Sequence, residues 1–232
     1  MDRAPLLILW DLDQTLLNPA GFGRRAMHAA FAQLFDDPAP EGISFSGRTD
    51  KAILREHIQR AAPGSEHLQA ELQRLSCDYA RSHARDFAAQ GGVALPGAIE
   101  ALALFARQQH LIQSVLTGNL RTIGEIKIEQ IGAADYLDLD IAAYGDEHEV
   151  RAELVTAAVT AAQTKYNCQI PAEKVVLIGD TPLDVQAAKA VGARVLGVAT
   201  GDFDAHELSA AGADAVFDSL TPAQQLLDAL EA

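Results

Sequence analysis

Two pairs of aspartates follow runs of apolar residues in this chain of 232 residues: Asp11, Asp13, Asp180 and Asp184. The runs, 6–10 and 175–178, are typical of strands buried on both faces of a parallel sheet. Because the carboxyl ends of parallel strands meet at one edge of the sheet, we expect the four carboxylates to share a crevice. Carboxylates so placed repel one another unless they are protonated or bridged by a cation. An oxygen-seeking ion such as Mg²⁺ is therefore predicted there.

A hydroxyl and a guanidinium are further candidates. Thr117 ends the apolar segment 111–116 and precedes Gly118 and Asn119; taken alone, it is better explained as the cap of the next helix. Arg151 opens a helical stripe upstream of the second acidic pair, although a lone arginine is usually a solvated surface charge. Both gain weight only from their position relative to the acids.

Apolar runs and helical stripes alternate along most of the chain. Strands are predicted at 6–10, 111–116, 175–178 and 194–199, with weaker ones at 137–143 and 215–217. Stripes of helical period lie between them, at 99–106, 154–162 and 185–191. This alternation predicts an α/β fold with a Rossmann-like, doubly wound parallel sheet.

One region breaks the alternation. It has no convincing buried strand, is rich in Ala, Gln, Arg, His and Glu, and is predicted to be helical near 22–34, 48–60 and 66–90. Turn-forming residues border it at 18–21 and 90–92. We therefore expect an inserted helical cap domain over 20–90 and an α/β core formed by 1–19 and 91–232.

Composition excludes several classes of function. With 18 basic and 32 acidic residues the net charge is −14, which opposes binding to nucleic acid or to anionic membranes. Two cysteines, Cys77 and Cys168, are too few for a disulfide framework and indicate a reducing cytoplasm. The first apolar run, of five residues, is too short for a signal peptide, and none is long enough to span a bilayer.

The order of these motifs resembles the haloacid dehalogenase-like hydrolase superfamily, in the helical-cap branch that includes phosphoglycolate phosphatase and β-phosphoglucomutase-like members. The motifs Asp-x-Asp-x-Thr at 11–15 and Gly-Asp-x-x-x-Asp at 179–184 are specific together, and the similarity covers nearly the whole chain. Two residues depart from the family pattern, which usually has glycine in place of Gln14 and lysine in place of Arg151. Rival cations exist at Lys127 and Lys165, both predicted in mid-helix, and at Lys174, at the wrong end of its strand.

The resemblance implies a Mg²⁺-dependent phosphatase that acts on a small phosphorylated metabolite through an aspartyl-phosphate. It implies that Asp11 is the nucleophile and Asp13 the general acid and base, and that Thr117 and Arg151 hold the phosphoryl group. Substrate-binding residues would be Thr15, Gly118, Asn119 and Arg48. The metal would be held by Asp11, Asp180, Asp184 and the backbone carbonyl of Asp13. A monomer or homodimer is expected.

Alternatives remain within and outside this reaction class. A phosphomutase on the same scaffold, or a non-catalytic binding module, would carry the same motifs, whereas Asp13 argues against dehalogenation because a departing halide needs no proton. Arg48 lies in a segment, 46–50, that resembles the cap loop of β-phosphoglucomutase-like proteins; a surface position is equally compatible with the sequence. His57 and His67 are expected on the solvated surface.

Overall fold

The computed structural model describes residues 5–231. Its strands are β1 (Leu6–Trp10), β2 (Leu17–Asn18), β3 (Val93–Ala94), β4 (Leu111–Thr117), β5 (Ala143–Tyr144), β6 (Val175–Gly179), β7 (Arg194–Val198) and β8 (Ala215–Phe217). Its helices are α1 (Phe22–Phe35), α2 (Asp50–Ala61), α3 (Gln69–Ser82), α4 (Asp86–Ala89), α5 (Ala98–Phe105), α6 (Arg121–Gln130), α7 (Arg151–Tyr166), α8 (Pro182–Ala190), α9 (Ala205–Ala211) and α10 (Ala223–Glu231).

Six strands form one parallel sheet in the order β5-β4-β1-β6-β7-β8. The central strand β1 is buried on both faces, as its unbroken apolar run predicts. Trp10, at its end, lies beside Val115 of β4 and Ile178 of β6. Of the later strands, β4 and β5 lie on one side of β1, and β6, β7 and β8 lie on the other. A crevice therefore opens at the carboxyl end of β1, where the strand order reverses. The predicted Rossmann-like α/β fold is confirmed.

The prediction of a weak strand at 137–143 is mostly wrong. Only Ala143 and Tyr144 pair with β4, because Leu139–Ile141 forms a 3₁₀ turn instead. The side chain of Asp138 accepts a hydrogen bond from the backbone N–H of Asp140 and so stabilises that turn. Short polar side chains of this kind compete with strand pairing for the backbone.

Residues 20–90, here called the helical insert, contain α1 to α4. Leu17 and Asn18 pair antiparallel with Ala94 and Val93, so the two connections to the insert run side by side. Within the insert, α1 packs against α3, and the rings of Phe22 and Phe87 meet edge to face at 5.7 Å. The predicted helical character of the segment agrees with these elements, although the stretch 66–90 is divided into a 3₁₀ turn, α3 and α4.

His57 corrects one expectation. It is fully buried, not solvated, because α2 directs it among the rings of His28, Phe31 and Phe45. Its Nδ1 lies 2.8 Å from the carbonyl of Ile53, and burial lowers its pKa below the ordinary value. The ring is therefore a neutral part of the packing of the insert.

Hydrogen bonds join the start of α2 to the loops that follow β4 and β5. The backbone N–H of Asp50 donates to Gly118 over 2.6 Å, and its carboxylate accepts from the N–H of Leu120 over 2.7 Å. The N–H of Lys51 donates to Gly145 over 3.1 Å. The insert is thus bonded directly to the carboxyl edge of the sheet. Among the described helices, not one combines the length and apolar character that a membrane span requires.

Candidate functional site

A cavity of about 300 Å³ lies between the carboxyl edge of the sheet and the helical insert. The core contributes polar residues that we call the floor: Asp11, Asp13, Thr117, Gly118, Asn119, Arg151 and Asp180. The insert contributes residues that we call the roof: Arg24, Met27, Phe45 and Arg48. The sheet edge therefore brings together all four of the predicted catalytic residues, which come from three separate segments of sequence.

Arg151 is bonded to the acidic residues of the floor. It is the first residue of α7 and is 8% exposed. Its Nη2 donates to Oδ1 of Asp11 over 2.6 Å and lies 2.6 Å from Oδ1 of Asp184, while Nη1 donates to the carbonyl of Gly47 over 3.3 Å. Burial alone would lower the pKa of Arg151, but the carboxylates of Asp184 and Asp11 raise it. A permanent cation thus faces Asp11.

Three buried carboxylates, those of Asp11, Asp180 and Asp184, form a compact cluster. Each offers an oxygen within 4.8 Å of the others. The pKa of Asp11 is raised by burial, against the opposing effect of Arg151, and by the charges of Asp184 and Asp13. Burial and the neighbouring carboxylates likewise raise the pKa of Asp180. The cluster holds more negative charge than one guanidinium offsets, which is the arrangement that a divalent cation relieves.

Asp184 provides a direct test of whether this cluster fits a metal. Its Oδ2 accepts from the N–H and the hydroxyl of Thr181, in the capping box that begins α8. Its Oδ1 is buried, and no group in the part of the chain that the structure describes donates a hydrogen bond to it, since Nη2 of Arg151 is close but misaligned. A buried carboxylate oxygen left in this state, beside two more carboxylates, fits a hard divalent cation such as Mg²⁺.

Asp13 is directed away from this cluster. Both of its carboxylate oxygens lie 2.7 Å from Nζ of Lys127, and Oδ2 also accepts from Nδ2 of Asn119 over 3.2 Å. Lys127 lies in α6, as predicted, but is only 1% exposed and reaches the floor. Sequence reasoning missed this role because a lysine in mid-helix is usually solvated. The available signal was its place on the same helical face as Ile123 and Gly124, both buried.

Thr117 and Gly118 lie where β4 ends, next to the insert. Thr117 is not a helix cap, because α6 is preceded by Leu120; its hydroxyl instead accepts from the N–H and Nδ2 of Asn119, over 3.2 and 2.8 Å. Gly118 has no room for a side chain, since a Cβ there would lie 2.0 Å from the carbonyl of Arg48. The glycine therefore permits the close approach of the insert to the floor.

Thr15 lies away from the cavity, unlike its predicted substrate-binding position. It is fully buried, and its hydroxyl donates to Oδ1 of Asp180 over 3.1 Å. The turn after β1 causes this, because the N–H of Thr15 returns to the carbonyl of Leu12. Thr15 thus supports a candidate metal ligand. The same turn places Gln14 at a φ of 63°, in the left-handed region, which explains why glycine is the usual residue at this position.

The two arginines of the roof differ in their partners. Arg48, predicted to bind substrate, donates through Nη1 to Glu56 over 2.6 Å and to the carbonyl of Ser44 over 3.1 Å. Arg24, which the sequence did not single out, lies 4.5 Å above the ring of Phe45 and makes no ion pair with any carboxylate that the structure describes. Arg24 is therefore the cation of the roof that a bound anion can engage.

The fold is a Rossmann-like α/β fold, and the carboxyl edge of its sheet holds a cluster of buried carboxylates. A family model described as haloacid dehalogenase-like hydrolase matches residues 6–192, most of the chain, so the protein belongs to that family. No curated protein sequence matches the chain significantly.

Solved structures of low identity share the fold. A hydrolase from Pseudomonas syringae is 20% identical, with a TM-score of 0.68 over 97% of this chain and 98% of its own. CbbY from Rhodobacter sphaeroides, solved in complex with phosphate, is 21% identical, with a TM-score of 0.70 over 94% and 96%. A predicted phosphoglycolate phosphatase from Haemophilus somnus is 17% identical, with a TM-score of 0.69 over 98% and 100%.

Proposed function

We propose that this protein is a Mg²⁺-dependent phosphatase that hydrolyses a small phosphomonoester through an aspartyl-phosphate. One observation carries the proposal: Asp11 and Asp13 face the same cavity, but Asp11 is paired with Arg151 and Asp13 with Lys127. Two carboxylates with separate partners can take separate roles, one as nucleophile and one as proton carrier. Two proteins of similar fold that are described as predicted phosphatases support the reaction class.

The metal would be held by Asp11, Asp180, Asp184 and the backbone carbonyl of Asp13. When bound, Mg²⁺ supplies positive charge that offsets the dianionic phosphoryl group. Thr15 keeps the Asp180 carboxylate in place through its hydroxyl. The buried Oδ1 of Asp184, which accepts no hydrogen bond from residues 5–231, supports this assignment.

The chain's own residues account for the two chemical steps. Asp11 attacks phosphorus in line, the bond from phosphorus to the leaving oxygen breaks, and Asp13 gives its proton to that oxygen. Asp13 then takes a proton from water as the water oxygen attacks phosphorus and the bond to Asp11 breaks. Arg151 and Thr117 hold the phosphoryl oxygens, whose charge must be stabilised in the transition state. Gly118 and Asn119 complete the wall on which the phosphoryl group rests.

The helical insert is proposed to act as the cap that selects the substrate, with the core formed by 1–19 and 91–232. The substrate is then a phosphorylated metabolite that fits about 300 Å³. A phosphomutase is less favoured, since Glu56 and Ser44 occupy the Nη1 group of Arg48, the cap residue of the mutase-like motif. We propose a cytoplasmic location, supported by two cysteines that the structure leaves unpaired, and a monomer or homodimer that binds neither nucleic acid nor membrane.

Phosphate release from an aryl phosphate, measured with and without Mg²⁺, tests the reaction. Asp11→Asn serves as the inactive variant, and Asp140→Asn, which changes an aspartate whose side chain is 82% exposed, is its matched control. Mg²⁺-dependent release by the wild type and by Asp140→Asn, but not by Asp11→Asn, supports the proposal. A panel of phosphorylated metabolites then identifies the substrate, and an isomeric phosphate product without phosphate release would indicate a mutase.

A further inference from the structure

Lys127 is the most deeply buried cation of the site. It is 1% exposed within α6, on a face that also buries Ile123 and Ile128. Taking an ammonium group out of water costs several kcal/mol unless nearby acceptors compensate it. A lysine in this position therefore needs a set of oxygens that replaces its water.

The three N–H donors of the ammonium group face three acceptor oxygens. Nζ of Lys127 lies 2.7 Å from each carboxylate oxygen of Asp13 and 2.5 Å from Oδ1 of Asn119. Because an ammonium group cannot accept, the amide oxygen of Asn119 must face Lys127, and its Nδ2 then faces Asp13 and Thr117, over 3.2 and 2.8 Å. The four side chains form one closed network.

This network fixes the orientation of the Asp13 side chain, although that side chain is partly exposed. The side chain of Asp13 is 36% exposed and borders the cavity, so without partners it could rotate about its side-chain bonds. Lys127 contacts both oxygens from one side and Asn119 contacts one of them from another, which leaves one orientation. Proton transfer requires such placement, since a displacement of about 1 Å can cost a factor of about 10² in rate.

We infer that Lys127, together with Asn119, is a positioning residue that aims the Asp13 carboxylate at the leaving oxygen of the substrate. The inference rests on the proposed phosphatase function for the role of Asp13. Lys127 itself does not bind the phosphoryl group, because its three donors are already used and Arg151 is the cation beside Asp11.

Substrates that differ in their need for a proton test the inference. In Lys127→Met, kcat for an alkyl phosphate should fall by about a hundredfold, whereas kcat for 4-nitrophenyl phosphate, whose leaving group departs without a proton, should fall by less than about threefold. KM should change little for either. Lys127→Gln, which keeps two uncharged N–H donors, should lie between wild type and Lys127→Met. Lys165→Met, which removes a half-exposed lysine outside the site, is the control and should match wild type.

Equal losses on both substrates, or no loss on either, would overturn the inference. Crystal structures of wild type and Lys127→Met provide a second readout that needs no activity. The Asp13 side chain should lose its single orientation in the variant, and an Asp13 that keeps it would also overturn the inference. If the wild type releases no phosphate from either substrate, the proposed function fails, while the two crystal structures still decide whether Lys127 orients Asp13.

Discussion

The floor and the roof of the cavity are built in different ways. Every acid of the floor has a charged or hydroxyl partner, and each lies within three residues of the end of a buried strand. The roof holds an arginine stacked on Phe45, a methionine and a second arginine paired within the insert. A chemical step needs fixed charges at fixed distances, whereas a binding wall must match only the shape and charge of one ligand. The contrast supports the proposal that the core carries out the reaction and the insert selects the substrate.

The largest expected effect falls on the floor. Asp11→Asn should lower kcat by at least about 10³-fold, because an amide is a poor nucleophile. The fold should be retained, since the change removes one of three mutually repelling carboxylates. Kinetics and a thermal melt check both parts. Retention of a tenth of the activity, with deamidation excluded by mass spectrometry, would contradict the assignment.

Removal of the metal tests the floor without a mutation. EDTA should abolish phosphate release and excess Mg²⁺ should restore it. Ca²⁺ should be a poor substitute, because it is a larger ion that takes more ligands in a less rigid geometry. Mg²⁺ should also raise the Tm of the metal-free protein, through the cluster of Asp11, Asp180 and Asp184. Asp184→Asn should lose that rise in Tm. Full activity in a verified metal-free sample would contradict the magnesium site.

Asp50 tests the contact between roof and floor. Burial raises the pKa of its carboxyl from 3.8 to about 7, although the N–H of Leu120 opposes the shift. Since the folded pKa is raised, the contribution of this carboxyl to stability is full below about pH 4 and is lost as the pH rises through 7.

Asp50→Asn should remove this loss of stability with rising pH, because an amide does not ionise. The asparagine side chain keeps an oxygen that can accept from the N–H of Leu120. Measured by urea unfolding, the wild type should lose about 3 kcal/mol more than the variant between about pH 5 and about pH 8. Parallel pH dependence of the two proteins would show that Asp50 does not titrate in this range.

The roof is tested by comparing its two arginines. Arg24→Ala should lower kcat/KM for the natural substrate by about ten- to a hundredfold, if a charge-assisted contact worth about 1.5–3 kcal/mol is lost. Arg24→Ala should spare an aryl phosphate, because the floor alone recognises the phosphoryl group. Arg48→Ala should have the smaller effect, since Glu56 occupies its guanidinium. Equal losses on both substrates would place Arg24 in phosphate binding instead.

The smallest effect concerns the turn that follows β1. Gln14→Gly should raise the free energy of unfolding by about 0.5–1 kcal/mol. Glycine adopts a positive φ without strain, and the strain that is relieved exceeds the conformational entropy that glycine loses on folding. Gln14→Ala, which keeps the Cβ at the same φ, is the matched control and should show no gain. Urea unfolding of the three proteins decides the point.

Much of the core and the floor was predictable from the sequence because the signals are local. An apolar run ending in an acid predicts both a buried strand and the place of its carboxylate, as for Asp11 and Asp180. Lys127 and Thr15 were misjudged for a physical reason. Their partners, Asp13 and Asp180, are more than a hundred residues away in the sequence. The roles of individual residues in the roof were least predictable, because Arg24 and Arg48 differ only in which neighbours the helices bring to them.

The short ribbon formed by β2 and β3 has a consequence for how such a protein can change. Because Leu17 and Asn18 pair with Ala94 and Val93, the chain enters and leaves the insert through two strands about 5 Å apart. A segment whose ends are adjacent can be exchanged for another of different length without stretching the sheet. Recombination at this ribbon would therefore give an unchanged reaction centre a new ligand-binding wall. It is also the place at which a designer would graft a foreign helical module.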